Sequence, residues 1–301
     1  MRTGTVAVVG RANAGKSTLV NVLVGEKVAI VSPKPQTTRD RIYGVLTTDD
    51  YQVVFEDTPG IYKAQTTLNS RMQRAAENTA KETDVILFVV DGHTGLKEED
   101  LSLAQRFAKV GVPMIVAFTK TDIMPKENIP AELVKLAEIE GIDEIVPVSA
   151  RKGRNVKELL NVILKYLPDG DYVFDPNAIS DKSEKFMIAE IMREKILLKY
   201  DREIPHGVAI TINEFSRRKN GIYDINLDIV CEKENHKAIL IGKQGKALKE
   251  VSSFAREAME KFLDAKVFLT TYVKVKENWR DKPNLLKEYG YSNDNLGSGN
   301  D

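Results

Sequence analysis

The feature that most constrains this chain is a glycine-rich octapeptide that directly follows a short apolar run. Residues 10–17 read Gly-Arg-Ala-Asn-Ala-Gly-Lys-Ser, and they come after the run Thr5 to Val9. The glycines let consecutive backbone N–H groups converge on an anion, and the helix-compatible segment that follows adds the positive end of a helix dipole. The octapeptide therefore predicts a phosphate-binding loop between a strand and a helix.

Two side chains of this loop are predicted to act directly on the ligand. Lys16 can reach the terminal phosphates, and the Ser17 hydroxyl can ligate magnesium. The other residues predicted to contact the phosphates are Gly10, Asn13, Ala14, Gly15 and Thr18.

The composition indicates the class of protein, but it does not identify the kind of partner that the protein binds. A chain of 301 residues with 42% hydrophobic content is long enough for two domains. Its single cysteine, Cys231, excludes an intramolecular disulfide framework, and 44 basic against 44 acidic side chains neither favour nor exclude a polyanionic partner. No stretch approaches the roughly 18 to 20 apolar residues of a membrane span. We therefore expect a cytoplasmic protein whose only membrane contact would be peripheral, at the inner face.

The first part of the chain alternates short apolar runs with helix-compatible segments. The runs are Thr5 to Val9, Val53 to Phe55, Val85 to Val90, Met114 to Phe118 and Ile145 to Val148. Strands buried on both faces have this pattern, so residues 1–176 are predicted to form an α/β domain with a mostly parallel sheet covered by helices on both faces. Ile42 to Thr48 alternates in polarity and is predicted to be an antiparallel edge strand.

A stretch rich in proline and aspartate, residues 167–176, is the predicted linker. After it, the pattern predicts a smaller α+β domain over residues 177–293, in the order α-β-β-α-α-β. The last helix pair of this domain is interrupted at Gly242 to Gly245. The small and polar residues 294–301 are predicted to be a disordered tail.

Three further segments complete a guanine nucleotide site, in the order and spacing of a P-loop GTPase. Asp57 can hold magnesium through water, and the N–H of Gly60 can meet the γ-phosphate. Asp122 can accept hydrogen bonds from guanine N1–H and its amine, while the stem of Lys120 covers the base. Ser149 and Ala150 fit the backbone contact to the guanine carbonyl. The predicted cofactors are therefore GTP or GDP with Mg²⁺.

Two positions depart from the pattern of related GTPases. Thr119 stands where an asparagine is usual, and its hydroxyl supplies only part of the bonding of an amide, which predicts a weaker affinity for nucleotide. Ile61 stands where small signalling GTPases have a glutamine that orients water, so slow hydrolysis is expected. Asn13 is the candidate substitute, because in related GTPases an asparagine there helps to hold a potassium ion against the phosphates.

The polar stretch Gln36 to Asp40 is predicted to close over the γ-phosphate. A threonine there can ligate magnesium in the triphosphate state; Thr38 is favoured, with Thr37 as the alternative. The residues assigned to catalysis are Lys16, Thr38, Gly60 and Asn13.

A second candidate site lies in a basic window without acids, residues 235–249. There a Gly-x-x-Gly turn lets a nucleic-acid backbone approach closely, and the turn resembles that of a KH domain, which clamps about four nucleotides of single-stranded RNA. The residues predicted to bind RNA are Ile241, Gly242, Lys243, Gln244, Gly245 and Lys246, together with Arg217 and Arg218. Trp279 is interpreted equally well as part of this surface or as a packing anchor.

Together these motifs resemble the Era family of bacterial GTPases, over about residues 3 to 290. The resemblance implies a monomer that binds the 3′ end of 16S ribosomal RNA in its GTP state and acts in maturation of the 30S subunit. Three alternatives fit less well. A signalling GTPase would have the glutamine, an RNA-binding module would not need the nucleotide motifs, and a P-loop kinase would not need Asp122.

Overall fold

The computed structural model describes residues 1–34, 37–39, 41–61, 76, 78–201 and 204–289. They form two units. The first includes Met1–Ala29 and Thr38–Asp181, and the second comprises Ile30–Thr37 and Lys182–Asn293. The predicted positions Gln36 and Asp40, and the predicted tail, lie outside the described residues.

A six-stranded sheet forms the centre of the first unit. Its strands are β1 (Arg2–Val9), β2 (Ile42–Thr47), β3 (Tyr51–Asp57), β4 (Val85–Asp91), β5 (Met114–Thr119) and β6 (Glu144–Pro147). Their order is β2-β3-β1-β4-β5-β6, and every pairing is parallel except that of β2 with β3. This confirms the predicted mostly parallel sheet with an antiparallel edge strand.

Helices cover both faces of this sheet. The helices with described bounds are α1 (Lys16–Val24), α2 (Glu98–Ala108), α3 (Ile129–Ala137) and α4 (Val156–Tyr166). Successive residues of β1 point to opposite faces. Val8 therefore packs in one core with Leu19 of α1, and Val9 packs in the other core with Phe107 of α2. Two buried faces explain why the central strands are apolar without alternation.

The parallel strands bring the predicted nucleotide motifs to one edge of the sheet. The phosphate loop follows β1, Asp57 ends β3, Lys120 follows β5 and Ser149 follows β6 shortly after its end. Ligands of open α/β sheets bind at the carboxyl ends of the strands. Segments far apart in the sequence therefore meet at a single site.

The second unit has the order of helices and strands predicted from the sequence, followed by one short helix that was not predicted. Its elements are α5 (Glu184–Lys199), β7 (Ala209–Arg217), β8 (Tyr223–Cys231), α6 (Glu234–Ile241), α7 (Lys246–Leu263), β9 (Val267–Val275) and α8 (Pro283–Glu288). Strand β8 lies in the middle, antiparallel to β7 and parallel to β9. The three helices α5, α6 and α7 share one buried core with the inward side chains of the sheet.

Trp279 is a packing anchor. Its ring is 2% exposed, and its indole N–H donates to the carbonyl of Gly207 at 3.0 Å. The packing interpretation of this residue is the correct one, because a buried indole is not available to stack on a base.

The boundary between the units differs from the predicted position at residue 176. Residues 177–181 still bond to strand β2: Val45 N–H donates to Ile179 O at 3.0 Å, and Tyr43 N–H donates to the Asp181 carboxylate at 2.9 Å. Proline and glycine content indicates where regular structure stops, but it does not reveal pairing with a distant strand edge.

Nothing in the sequence predicted that residues 30–37 would group with the second unit. Val31 N–H donates to the Glu194 carboxylate at 3.0 Å, and the Lys34 ammonium lies 2.8 Å from Asp201 Oδ1.

Within the described ranges, none of the helices combines the length and the apolar character that crossing a bilayer requires.

Candidate functional site

The phosphate loop encloses the side chain of Lys16. Its ammonium donates to the carbonyls of Gly10 (3.1 Å) and Arg11 (3.0 Å), and burial lowers the pKa of Lys16 to about 8, although Asp57 opposes this shift. Gly10 has φ 143°, and a Cβ there would lie 2.3 Å from the carbonyl oxygen of Val89. Only glycine fits this position, so the loop can turn tightly and leave Lys16 inside it.

Three oxygen-bearing side chains meet beside Lys16. Ser17 Oγ donates to Asp57 Oδ2 at 2.6 Å and lies 3.0 Å from Thr38 Oγ1, which is 3.5 Å from the same carboxylate oxygen. Asp57 is fully buried, and its Oδ1 has no hydrogen-bond partner among the described residues. Burial raises the pKa of Asp57 to about 6, against the opposing effects of Lys16, Ser17 and Thr38. A buried carboxylate with two hydroxyls is an oxygen-rich set that suits Mg²⁺.

The two threonines of the predicted closing segment lie in different surroundings. Thr37 Oγ1 donates to the main-chain carbonyl of Lys34 at 2.7 Å, whereas Thr38 is the one placed with Ser17 and Asp57. The geometry therefore favours Thr38 over Thr37 as a metal ligand.

The segment after Asp57 lies against the phosphate loop. A Cβ on Gly60 would be 2.7 Å from the Cα of Ala12, and Ile61 N–H donates to Gly10 O at 3.2 Å. The Ile61 side chain is 5% exposed and packs in the core with Val9. Glycine at position 60 is therefore required by close approach, and Ile61 is a core residue that does not orient water.

Asp122 and Ser149, two of the residues predicted to contact the guanine base, are joined by a hydrogen bond. Ser149 Oγ donates to Asp122 Oδ1 at 2.7 Å, and this bond lowers the pKa of Asp122, which therefore stays ionised. The carbonyl of Ala150, the next residue, accepts from Gly153 N–H at 3.2 Å.

Lys120 joins this region to the phosphate loop. Its ammonium donates to Asn13 O at 2.8 Å and to Asp91 Oδ2 at 2.6 Å, and its backbone has a positive φ of 59°. Asp91 was missed in the sequence, although a carboxylate at the end of a buried apolar strand was an available signal.

Thr119 bridges two parts of the site with one hydroxyl. Its Oγ1 lies 2.7 Å from Ala14 O and 2.9 Å from Val90 O, and the residue is 2% exposed. A hydroxyl carries a single donor hydrogen, whereas an amide carries two. Thr119 therefore reaches both carbonyls but cannot fully satisfy both at once. Thr18, the remaining predicted contact, lies in the first turn of α1 beside Ser17.

The Gly-x-x-Gly turn joins α6 to α7 in the second unit. Gly242 (φ 70°) and Gly245 (φ 74°) are both left-handed, and Gln244 between them has φ 53°. The side chains of Lys243, Gln244 and Lys246 are exposed, while Ile241 is half-buried at the end of α6. No ion pair of the two lysines is found among the described residues. Their charges are therefore open to a polyanion.

The two arginines that were also predicted to bind RNA have side-chain partners of their own. Arg218 is paired with Asp224 through two hydrogen bonds, and its guanidinium lies 5.2 Å from the centre of the Phe268 ring. Arg217 lies over Tyr223 at 5.4 Å. Because a carboxylate neutralises Arg218, it is a weaker candidate for phosphate contact than the lysines.

Comparison with known proteins covers both units. Residues 5–120 match the family model described as 50S ribosome-binding GTPase, and residues 203–280 match the KH domain model. GTPase Era of Clostridium kluyveri (strain NBRC 12016) is 44% identical over 291 residues, which are 97% of this chain and 99% of the relative. GTPase Era of Clostridium botulinum (strain Loch Maree / Type A3) is 42% identical over 292 residues, with the same coverage.

Two solved Era structures have this fold, each with 39% identity and a TM-score of 0.90. One is a variant of Aquifex aeolicus Era bound to GDP.AlF4-, and it is aligned over 97% of this chain and 100% of that chain. The other is Era in complex with MgGDPNP and nucleotides 1506-1542 of 16S ribosomal RNA, with coverage of 97% and 99%. On motif, sequence and architecture together, this chain belongs to the Era family of GTPases.

Proposed function

We propose that this chain hydrolyses GTP with Mg²⁺ and binds the 3′ region of 16S ribosomal RNA, as part of maturation of the 30S subunit. The observation that carries the proposal is the likeness, over 97% of the chain, to an Era structure that holds both a magnesium–nucleotide complex and 16S RNA. The description of the first family model names the 50S subunit, but 16S RNA belongs to the small subunit, which favours 30S.

The phosphate side of the nucleotide is bound by the loop of residues 10–18. Lys16 would exchange its two carbonyl acceptors for phosphate oxygens, which are stronger acceptors because they are charged. Ser17 and Thr38 would hold magnesium directly, and Asp57 would hold it through water. The bound ion would neutralise negative charge on the phosphates. Gly60 N–H is the proposed contact to the γ-phosphate.

Recognition of guanine rests on Asp122. Its carboxylate is kept ionised by the Ser149 hydroxyl, so it can accept from the two adjacent N–H donors that guanine has and adenine lacks. Lys120 covers the base with its stem, and Ser149 and Ala150 supply main-chain contacts. ATP binding as tight as GTP binding in a calorimetric titration would contradict this assignment.

Hydrolysis is expected to be slow without further assistance. Ile61 lies in the core, and the intrinsic rates of GTPases, on the order of 10⁻⁴ to 10⁻² per second, set the scale. Asn13 has a left-handed backbone (φ 62°) in the phosphate loop, and we propose that it helps to hold K⁺ against the phosphates. Equal turnover in potassium and sodium buffers would exclude this role.

RNA binding is assigned to the Gly-x-x-Gly turn of the KH domain. Lys243 and Lys246 would neutralise phosphates, and the two glycines allow the backbone of the RNA to approach. A role on the 30S subunit places the protein in the cytoplasm, while a monomeric state and a peripheral contact with the inner membrane face stay predictions.

The proposal is tested by measuring GTP turnover in potassium buffer with and without an RNA that carries the 3′ region of 16S ribosomal RNA. We expect GTP turnover, specific RNA binding, and a difference in RNA affinity between the GTP-bound and GDP-bound protein, because a ligand that distinguishes the two nucleotide states shifts their balance. A scrambled RNA of equal length is the control. Equal affinity for both RNAs would contradict the proposed target, and absence of GTP turnover would contradict the proposed reaction.

A further inference from the structure

A buried carboxylate lies beside the nucleotide site without being assigned to any ligand. Glu56 precedes Asp57 in strand β3 and is 4% exposed. Its Oε1 accepts from the Thr79 hydroxyl at 3.1 Å and lies 3.0 Å from Nη1 of Arg41. A buried carboxylate is costly unless it is paired, and an apolar pair of similar size is often no less stable. Stability alone therefore does not account for this cluster.

The cluster joins two segments that flank the nucleotide site. Arg41 comes three residues after Thr38 and directly before strand β2, and Thr79 lies in the helical residues 78–82, downstream of Asp57 and Gly60. In the register of the two strands, Ile42 is opposite Asp57 and Tyr43 is opposite Glu56. The Arg41 guanidinium thus crosses to the strand that ends at Asp57.

Thr38 and Arg41, three residues apart, are each fixed by a side-chain contact. Thr38 Oγ1 is 3.0 Å from Ser17 Oγ, and the Arg41 side chain pairs with Glu56. Because only two residues separate Thr38 from Arg41, fixing Arg41 restricts the positions open to Thr38 before any ligand arrives. Binding then costs less ordering entropy, which is the basis of preorganisation.

We propose that Glu56 is a positioning residue that, through Arg41 and with support from Thr79, places Thr38 for magnesium in the triphosphate state. This inference rests on the proposed function and deepens it: the cluster increases the preference of the site for GTP over GDP. Thr38 would ligate the metal only in the triphosphate state, so its placement adds to the preference that the proposed contact of Gly60 N–H to the γ-phosphate also gives.

The test measures the affinities of three variants for GDP and for a non-hydrolysable GTP analogue. The variants are Glu56→Gln, Arg41→Met and the double variant Arg41→Met with Glu56→Met. We expect affinity for the analogue to fall about 5-fold or more, the lower end of typical coupling between sites, and affinity for GDP to stay within about 2-fold. When EDTA removes magnesium, the variants and the unsubstituted protein should show the same affinity ratio.

The double variant distinguishes a role in positioning Thr38 from a role in stabilising the fold. Its two methionines restore packing at positions 41 and 56 without restoring the ion pair. Its folding is checked by denaturant unfolding, and we expect the same loss of preference as in the single variants. Lys165→Met, which removes an exposed lysine 3.9 Å from Glu144, is the matched control and should change neither affinity.

Two results would overturn the inference: an unchanged preference in the folded double variant, or equal losses of GDP and analogue affinity. Failure of the proposed function would look different, because the unsubstituted protein would then bind neither nucleotide or would show no magnesium-dependent preference.

Discussion

The candidate nucleotide site and the proposed RNA-binding turn present their polar groups in opposite ways. At the nucleotide site, polar groups are buried and already bonded to one another, as with Lys16 on two carbonyls and Ser17 on Asp57. At the turn, Lys243 and Lys246 project into solvent from a backbone held in left-handed conformations.

The difference lies in what a ligand replaces. In the nucleotide site, a ligand exchanges existing internal bonds for stronger, charged ones, so small changes of geometry alter affinity. At the turn, an RNA displaces only water and counterions, so affinity follows charge and salt concentration. Substitutions at the two sites should therefore differ in kind as well as in size.

The largest expected effect is the loss of nucleotide binding in Lys16→Ala. We expect GTP affinity to fall at least about 100-fold, because charge-assisted bonds to the phosphates are removed from a buried site. RNA affinity measured without nucleotide should be unchanged. Isothermal titration with each ligand checks both statements, and a parallel loss of RNA binding would show that the two sites are not separable.

The reverse pattern is expected for Lys243→Glu combined with Lys246→Glu. RNA affinity should fall at least about 30-fold, and the slope of log K against log salt should decrease by about 1.4, or 0.7 for each lost contact. GTP affinity should not change. Filter binding at several salt concentrations measures the slope.

Lys261→Glu, at the far end of helix α7, is the control for this pair, because Lys261 is also exposed but lies in the last turn of the helix. A loss of affinity as large as that of Lys243→Glu alone would mean that overall charge, rather than the turn, binds the RNA.

The backbone of the turn should be sensitive even though its side chains are exposed. Gly242 has φ 70° and ψ 177°, and a Cβ there would lie 2.6 Å from the Cβ of Ala247. Gly242→Ala should therefore lower the free energy of unfolding by about 2 kcal/mol. Gly245→Ala meets no atom within 4 Å and should cost only about 1 kcal/mol, from its positive φ alone. Urea unfolding of both variants tests this order, and equal costs would contradict it.

The smallest expected effect is a gain at the nucleotide site. Thr119→Asn supplies two donors for the carbonyls of Ala14 and Val90, where one hydroxyl now serves both. We expect GTP and GDP affinities to rise together by about 3-fold, since both nucleotides use the same loop. Titration with both nucleotides measures this, and a gain for GTP alone would place the effect at the γ-phosphate instead.

Much of this molecule could be predicted because its signals are local. The phosphate loop requires glycines at fixed spacing, and buried parallel strands require uninterrupted apolar runs, so both units and most of the nucleotide site follow from short segments. Glu56 and the pairing of residues 177–181 with β2 were missed because each depends on a partner far away in the chain. Asp91 was missed although its place at the end of an apolar strand was a local signal.

The sequence by itself determined which chemical groups are present: a glycine-rich loop suited to phosphates, a carboxylate at Asp122 that we propose reads guanine, and a basic turn that we propose binds RNA. Only the tertiary structure showed that the Thr38 hydroxyl lies beside Ser17 while Thr37 bonds to Lys34, that Asp224 pairs with Arg218, and that Trp279 is buried. The physical reason is that a residue type sets what a side chain can do, whereas burial and partners, which come from distant strands and helices, set whether it is free to do it.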